Sequence, residues 1–210
     1  MKTEIVLADN HVVVRQGVKS LLEREGFSVA GEAADGQELL RIAKDLQPDV
    51  AVMDIGMPVM NGLVAARELK RACPKTKSIL LTRHDEDQYV VEALRAGIQG
   101  YILKNQAATD LVQALQQVCR GQVYLSPGIS RVVVDAYLSK SSVPDDPLSS
   151  REHEVLQLIA EGKSTKDVAT LLGISVKTAE SHRSRLMGKL DIHETASLVR
   201  YAVRRGLVQP

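Results

Sequence analysis

Four short apolar runs in this chain end in residues that could do chemistry together. Val6-Leu7-Ala8 leads into Asp9 and Asn10, Val52-Met53 into Asp54, Ile79-Leu80-Leu81 into Thr82, and Tyr101-Ile102-Leu103 into Lys104. If the runs are parallel strands of one open sheet, their ends share an edge, and that edge is where such sheets gather functional groups. Two carboxylates, an amide, a hydroxyl and an ammonium suit phosphoryl transfer to a carboxylate. Asp9, Asp54, the side-chain oxygen of Asn10 and a backbone carbonyl near Gly56 offer hard oxygen ligands to an octahedral Mg2+. An Asp54 oxygen is then the in-line nucleophile, with Lys104 and the Thr82 hydroxyl holding the remaining phosphoryl oxygens. Singly, each residue has a plainer role: helix cap, packed hydroxyl or solvated amine. Their recurrence at four strand ends selects the chemical reading.

The elements that must position these groups are legible as alternating patterns. Strands are expected over residues 4–8, 28–33, 50–54, 78–82 and 100–103, and continuous apolar runs such as Ile79-Leu80-Leu81 fit strands covered on both faces. Helical spacing separates them: Val14, Val18, Leu21 and Leu22; Leu39, Ile42, Ala43 and Leu46; Leu111, Ala114, Leu115 and Val118. Pro48, Pro58 and Pro74 fall between elements, where a missing N–H costs little. The expected fold is α/β, a doubly wound five-stranded parallel sheet over residues 1–120. Residues 121–146 turn to Gly, Ser and Pro and read as a linker with one short helix over 129–138. Residues 147–210 carry no strand pattern and read as a small all-α domain with helices over 149–161, 165–172, 176–190 and 194–204. Ser149 with Glu152 fits a capping box, Ser175 an N-cap, and Gly162 and Gly173 fit helix stops.

With 44% hydrophobic and 25% charged residues in 210, the chain can bury one medium core or two small ones, so disorder is not expected. No apolar stretch approaches the roughly 20 residues that span a bilayer, and Lys2, Glu4 and Asp9 make the first ten residues unlike a secretory leader. A cytoplasmic protein with no membrane partner is expected. Cys73 and Cys119 lack the spacing of a metal site and read as reduced packing residues. Charge is uneven: residues 1–125 hold 15 Lys and Arg against 16 Asp and Glu, whereas residues 147–210 hold 10 against 7. Lys177, Arg183, Arg185 and Lys189 stand against Glu180 alone within residues 176–190, a stripe that suits phosphate contacts or a solvated helix face.

The runs around Asp9, Asp54-Ile55-Gly56-Met57-Pro58, Thr82 and Gly100-Tyr101-Ile102-Leu103-Lys104 closely resemble a two-component response-regulator receiver, a flavodoxin-like fold, and the remainder is similar to the NarL/FixJ subgroup. The resemblance implies that Asp54 accepts phosphate from a partner sensor histidine kinase, that Asp9 helps bind Mg2+, and that Thr82 and Tyr101 move on activation. Three positions depart from it. Asn10 stands where a second acid is usual, which implies weaker Mg2+ binding. Arg83 follows Thr82 where a small residue is common. Asn105 follows Lys104 in place of a frequent proline, so a cis peptide is not expected. An aspartyl-phosphate hydrolase typically needs a second Asp two residues after the nucleophile; Gly56 is there instead, and no enzyme is expected.

Gly173-Ile174-Ser175 between two helical patterns, followed by Val176-Lys177-Thr178-Ala179-Glu180-Ser181-His182, resembles the LuxR-type helix-turn-helix. Its second helix would enter the major groove of promoter DNA. The family pattern implies that Glu180, Ser181 and Ser184 reach base edges while Lys177, Thr178, His182, Arg183 and Lys189 lie nearer phosphates. Glu180 either accepts from a cytosine amine or pairs with Arg183 along its own helix. His182 is equally a packed or capping side chain. Leu198, Tyr201 and Ala202 suit a homodimer contact on DNA or the helical unit's own core. The functional expectation is a transcriptional regulator controlled by phosphorylation at Asp54; a regulator whose receiver only dimerises is the alternative.

Overall fold

The computed structural model describes residues 2–83, 87–129, 147–205 and 207–208. Residues 130–138 of the short helix expected in the linker lie outside them. The N-terminal part folds as β1 (Glu4–Ala8), α1 (Val12–Arg24), β2 (Ser28–Ala33), α2 (Gly36–Leu46), β3 (Val50–Met53), α3 (Gly62–Ala72), β4 (Lys77–Thr82), α4 (Asp87–Ala96), β5 (Gly100–Leu103) and α5 (Ala107–Cys119). Every strand pairing is parallel, and the sheet order is β2-β1-β3-β4-β5 with β6 (Tyr124–Leu125) added outside β5.

Side-chain alternation along the strands divides the core into two layers. Ile5, Leu7, Val50, Val52, Ile79 and Ile102 pack with Leu22 of α1 and Leu111, Ala114, Leu115 and Val118 of α5. Val6, Ala8, Ala51, Met53, Leu80 and Tyr101 pack on the other face with Leu39 and Ala43 of α2, Leu63 and Leu69 of α3 and Val90 and Ala93 of α4. Burying each large aliphatic side chain contributes about 1.5–3 kcal/mol, so both layers hold the strand ends in register.

The sixth strand falls in the segment read as linker. Tyr124 donates its amide to Gln99 O at 2.8 Å and Ser126 to Tyr101 O at 3.0 Å, while Ser126 Oγ donates to Asp110 Oδ2 at 2.7 Å. Two residues are too few to show a period in sequence, and pairing with an existing edge supplies what they lack in length.

The C-terminal part is all helical: α6 (Ser150–Ala160), α7 (Thr165–Leu171), α8 (Val176–Leu190) and α9 (Thr195–Arg204). Ser149 and Glu152 form the expected capping box, Ser175 caps α8 by accepting from Thr178 N, and Gly162 and Gly173 end helices with φ of +80° and +63°. Val155, Leu158, Val168, Ala179, Leu186, Leu198 and Ala202 close one core, which settles Leu198 and Ala202 as packing residues of this unit. Both cysteines are free, Cys73 buried and Cys119 half-buried. No described peptide bond is cis, that before Asn105 included. None of the described helices is long and apolar enough to cross a membrane.

Candidate phosphoacceptor pocket and DNA-binding helix

The chain runs from β1 outward to β2 and returns past β1 to β3, so β1 and β3 flank the point where the winding reverses. Connections leave in opposite directions there and open a crevice at the carboxyl ends. Asp9 and Asp54 sit at its two sides, each residue 6% exposed. Asp54 lies just past β3, its amide still donating to Ala8 O at 2.9 Å while its Oδ1 accepts from the Ile55 amide at 2.9 Å and starts the turn.

Lys104, in the 3-10 turn after β5, reaches across the edge. Its Nζ lies 2.7 Å from Asp9 Oδ2 and 3.0 Å from Asp54 Oδ2. Thr82 is fully buried at the end of β4, the strand between Asp54 and Lys104, and Tyr101 is fully buried on β5. Arg83, where a small residue is common in the family, is exposed to solvent. Asn10 is exposed at the rim, and Gly56 is half-buried in the turn after Asp54.

Two side chains were not anticipated from sequence. His11 accompanies Asp9: its amide donates to Asp9 Oδ1 at 2.8 Å, and its ring Nδ1 lies 3.1 Å from the same oxygen. Asp9, His11 and Asp54 each place a ligand atom within 4.8 Å of the others, a cluster able to coordinate a divalent cation. Arg15 donates to Asp9 O at 2.6 Å and to Glu32 Oε2 at 3.0 Å, fixing the bend after β1. Both follow Asp9 by less than two helical turns, but single polar residues at a helix start have too many ordinary uses to stand out.

In the helical unit, α8 exposes Lys177, Thr178, Glu180, Ser181 and Ser184 together, with His182 and Arg183 half-buried. Arg183 donates to Thr195 Oγ1 at 2.8 Å, and Glu180 forms no ion pair among the described residues, so the helical pair weighed for it is not made. His182 Nδ1 is buried with no hydrogen-bond partner among the described residues, which supports its packed role. Lys189 donates to Glu152 Oε2 at 2.7 Å and is committed to α6 rather than standing free.

That ion pair has a pH signature. Burial raises the Glu152 carboxyl, but the Lys189 ammonium and the Ser149 amide and hydroxyl outweigh it and hold the group below the usual carboxylate value. A depressed acid contributes stability above its unfolded range and loses it as pH falls through the folded value. Lys189→Ala is therefore expected to cost about 1–2 kcal/mol in urea unfolding near neutrality, with Glu152 left 3% exposed and without its cation. The difference should shrink once acid protonates Glu152; a pH-independent difference would assign Lys189 a packing role only.

An acidic edge on a doubly wound sheet, followed by an all-helical unit, is here matched by families of signalling regulators. The profile of response regulator receiver domains matches residues 5–116, and that of bacterial regulatory proteins of the luxR family matches residues 146–202. The chain belongs to the response regulators that join these two parts. It is 38% identical to the oxygen regulatory protein NreC of Staphylococcus haemolyticus, over 98% of this chain and 99% of that one. It is 37% identical to the transcriptional regulatory protein MctR of Rhizobium johnstonii, over 99% and 96% of the two chains. Among solved structures, RcsB of Salmonella enterica serovar Typhimurium bound to a promoter in the presence of a phosphomimetic aligns with a TM-score of 0.63 at 30% identity, covering 96% of this chain and 98% of that one.

Proposed function

We propose that this protein is a transcriptional response regulator whose Asp54 accepts a phosphoryl group from a sensor histidine kinase and whose α8 binds promoter DNA, as a homodimer, in the cytoplasm. Residues 1–120 form the receiver, 121–146 the linker and 147–210 the DNA-binding domain in this reading, and the matches to residues 5–116 and 146–202 support it. The observation that carries it is Lys104 Nζ bridging two nearly buried carboxylates from different strands, 2.7 and 3.0 Å away.

Two carboxylates against one ammonium leave the crevice with excess negative charge, and their oxygens are the hard donors that Mg2+ takes. Asp9 and Asp54 fit as its protein ligands, with the Gly56 carbonyl and, from the rim, the Asn10 side-chain oxygen beside them. The ion would offset phosphate charge. An Asp54 oxygen attacks phosphorus, the bond to the kinase imidazole breaks, and the imidazole leaves with that electron pair. Lys104, released from its carboxylate pairing, and the Thr82 hydroxyl hold phosphoryl oxygens; Tyr101 shifts with Thr82.

On α8, exposed Glu180, Ser181 and Ser184 read base edges, while Lys177, Thr178 and Arg183 serve phosphates, His182 packs, and Lys189 stays paired with Glu152. That Glu180 forms no ion pair among the described residues supports a base-reading role. RcsB dimers on DNA, a solved relative's arrangement, support the dimer.

The test uses a small-molecule acyl phosphate with Mg2+. The wild-type chain should take up label that is absent in Asp54→Ala, and label persisting in the variant would reject Asp54 as acceptor. Selection of DNA from a random pool, with and without the donor, reads sequence, half-site spacing and phosphate dependence together. Equal selection by wild type and Asp54→Ala would favour a receiver that only dimerises.

A further inference from the structure

Gln157, on the side of α6 turned away from the helical core, is polar and only 1% exposed. What covers it is the receiver, through α3 and the loop of residues 57–61 that joins Asp54 to α3. Gln157 grips that loop with both ends of its amide. Nε2 donates to Met57 O at 2.7 Å, and Oε1 accepts from the Asn61 amide at 2.9 Å. Glu161, one turn on, accepts from the Val59 amide at 3.3 Å and from Gln157 Nε2 at 3.0 Å. Every one of these loop contacts is to main chain, so α6 responds to the loop's shape rather than to its side chains.

The loop is tied to Asp54 as tightly as to α6. Gly62 N donates to Ile55 O at 3.0 Å, Met57 N to the same oxygen at 2.9 Å, and Met60 N to Pro58 O at 2.6 Å. Val59 stands at φ +64°, a region that β-branched residues seldom occupy and that persists only where surroundings hold it. The docked state also carries a cost: Asn61 Nδ2 is buried with no hydrogen-bond partner among the described residues. A strained loop, gripped from outside at residues 57, 59 and 61 and anchored inside to Ile55, has few ways to shift at one end alone.

We propose that Gln157 is the positioning residue that couples Asp54 to the DNA-binding domain, by clamping loop 57–61 in the shape it has when Lys104 bridges Asp9 and Asp54. The inference rests on Asp54 being the phosphoacceptor. It differs from concealment of the DNA-reading surface, because Lys177, Thr178, Glu180, Ser181 and Ser184 stay exposed while α6 is docked. Charge and ligands added at Asp54 rearrange the turn that begins at Ile55, the main-chain groups at 57 and 61 leave register, and the amide releases. Coupling of this kind is reciprocal, so release of α6 makes Asp54 easier to modify.

Residue-resolved amide hydrogen exchange on the full chain tests this. Without donor, Gln157→Ala should speed exchange at the Val59 and Asn61 amides roughly tenfold or more, and Gln157→Leu, which keeps comparable size but has neither the donor to Met57 O nor the acceptor for Asn61 N, should do the same. Protection in α8 and α9 should not change, which separates release from unfolding. Acyl phosphate and Mg2+ should produce the same loss of protection in the wild type, and label at Asp54 should accumulate faster in both variants. Unchanged Val59 and Asn61 exchange in the variants overturns the clamp. Labelled Asp54 with loop protection intact overturns the coupling. Absence of label in the wild type overturns the functional reading and the coupling with it, while the donor-free exchange still decides the clamp.

Discussion

Lys104→Ala is expected to lower unfolding free energy by about 3 kcal/mol in chelator-treated buffer, and Mg2+ to restore more of the variant's stability than it adds to the wild type. The Lys104 ammonium stands between two carboxylates that are 8% and 7% exposed at their side chains, and the lysine itself is 12% exposed. Removing it leaves two like charges facing each other in a crevice with little water to screen them. Breaking a buried pair costs more than the pair ever contributed, because the remaining charge keeps its desolvation penalty. A divalent cation bound between Asp9 and Asp54 would supply what the lysine supplied, and ligand that binds only the folded state stabilises it by mass action. Paired urea titrations with chelator and with Mg2+ measure both effects. A loss below about 0.5 kcal/mol, or equal Mg2+ stabilisation in both proteins, would show that the bridge contributes little and that the carboxylates hold no common ion.

Residues that mark this pocket were readable because each ends a run whose period is unambiguous. Ile5-Val6-Leu7 and Ile79-Leu80-Leu81 read as strands covered on both faces, which puts Asp9 and Thr82 at a sheet edge. The helical unit was readable for a different reason: Ser149 and Ser175 cap two of its helices, and Gly162 and Gly173 end two of them. What was not readable depends on where the chain goes in space. β6 forms only because β5 offers an open edge. His11 and Arg15 gain meaning only once the bend after β1 turns them back on Asp9. Gln157 looks like a surface residue of an amphipathic helix until the loop after Asp54 is placed against it. Lys189 counted as a free basic residue until its pairing with Glu152 came into view. Periodicity fixes elements and their faces; contacts between distant elements carry no local signal.

Gly62→Ala should destabilise the receiver by at least about 2 kcal/mol and sharply reduce labelling at Asp54, although alanine is the better helix former. A Cβ on residue 62 would lie 2.2 Å from Asp54 O, 3.0 Å from Asp54 C and 3.2 Å from Ile55 Cα. All three are main-chain atoms, so no rotamer change relieves the clash. Either α3 lifts off the sheet, losing the packing of Leu63 and Leu69, or the peptide after Asp54 moves and carries the carboxylate away from Lys104. Helix propensity returns at most about 1 kcal/mol, less than backbone displacement costs. Gly17→Ala is the matched control: that residue is also inside a helix, on α1, and a Cβ there meets nothing within 4 Å. It should leave labelling unchanged and stabilise by up to about 1 kcal/mol. Equal behaviour of the two variants would mean that Gly62 serves the helix alone, and that close approach of α3 to the phosphoacceptor peptide is not what holds Asp54 in place.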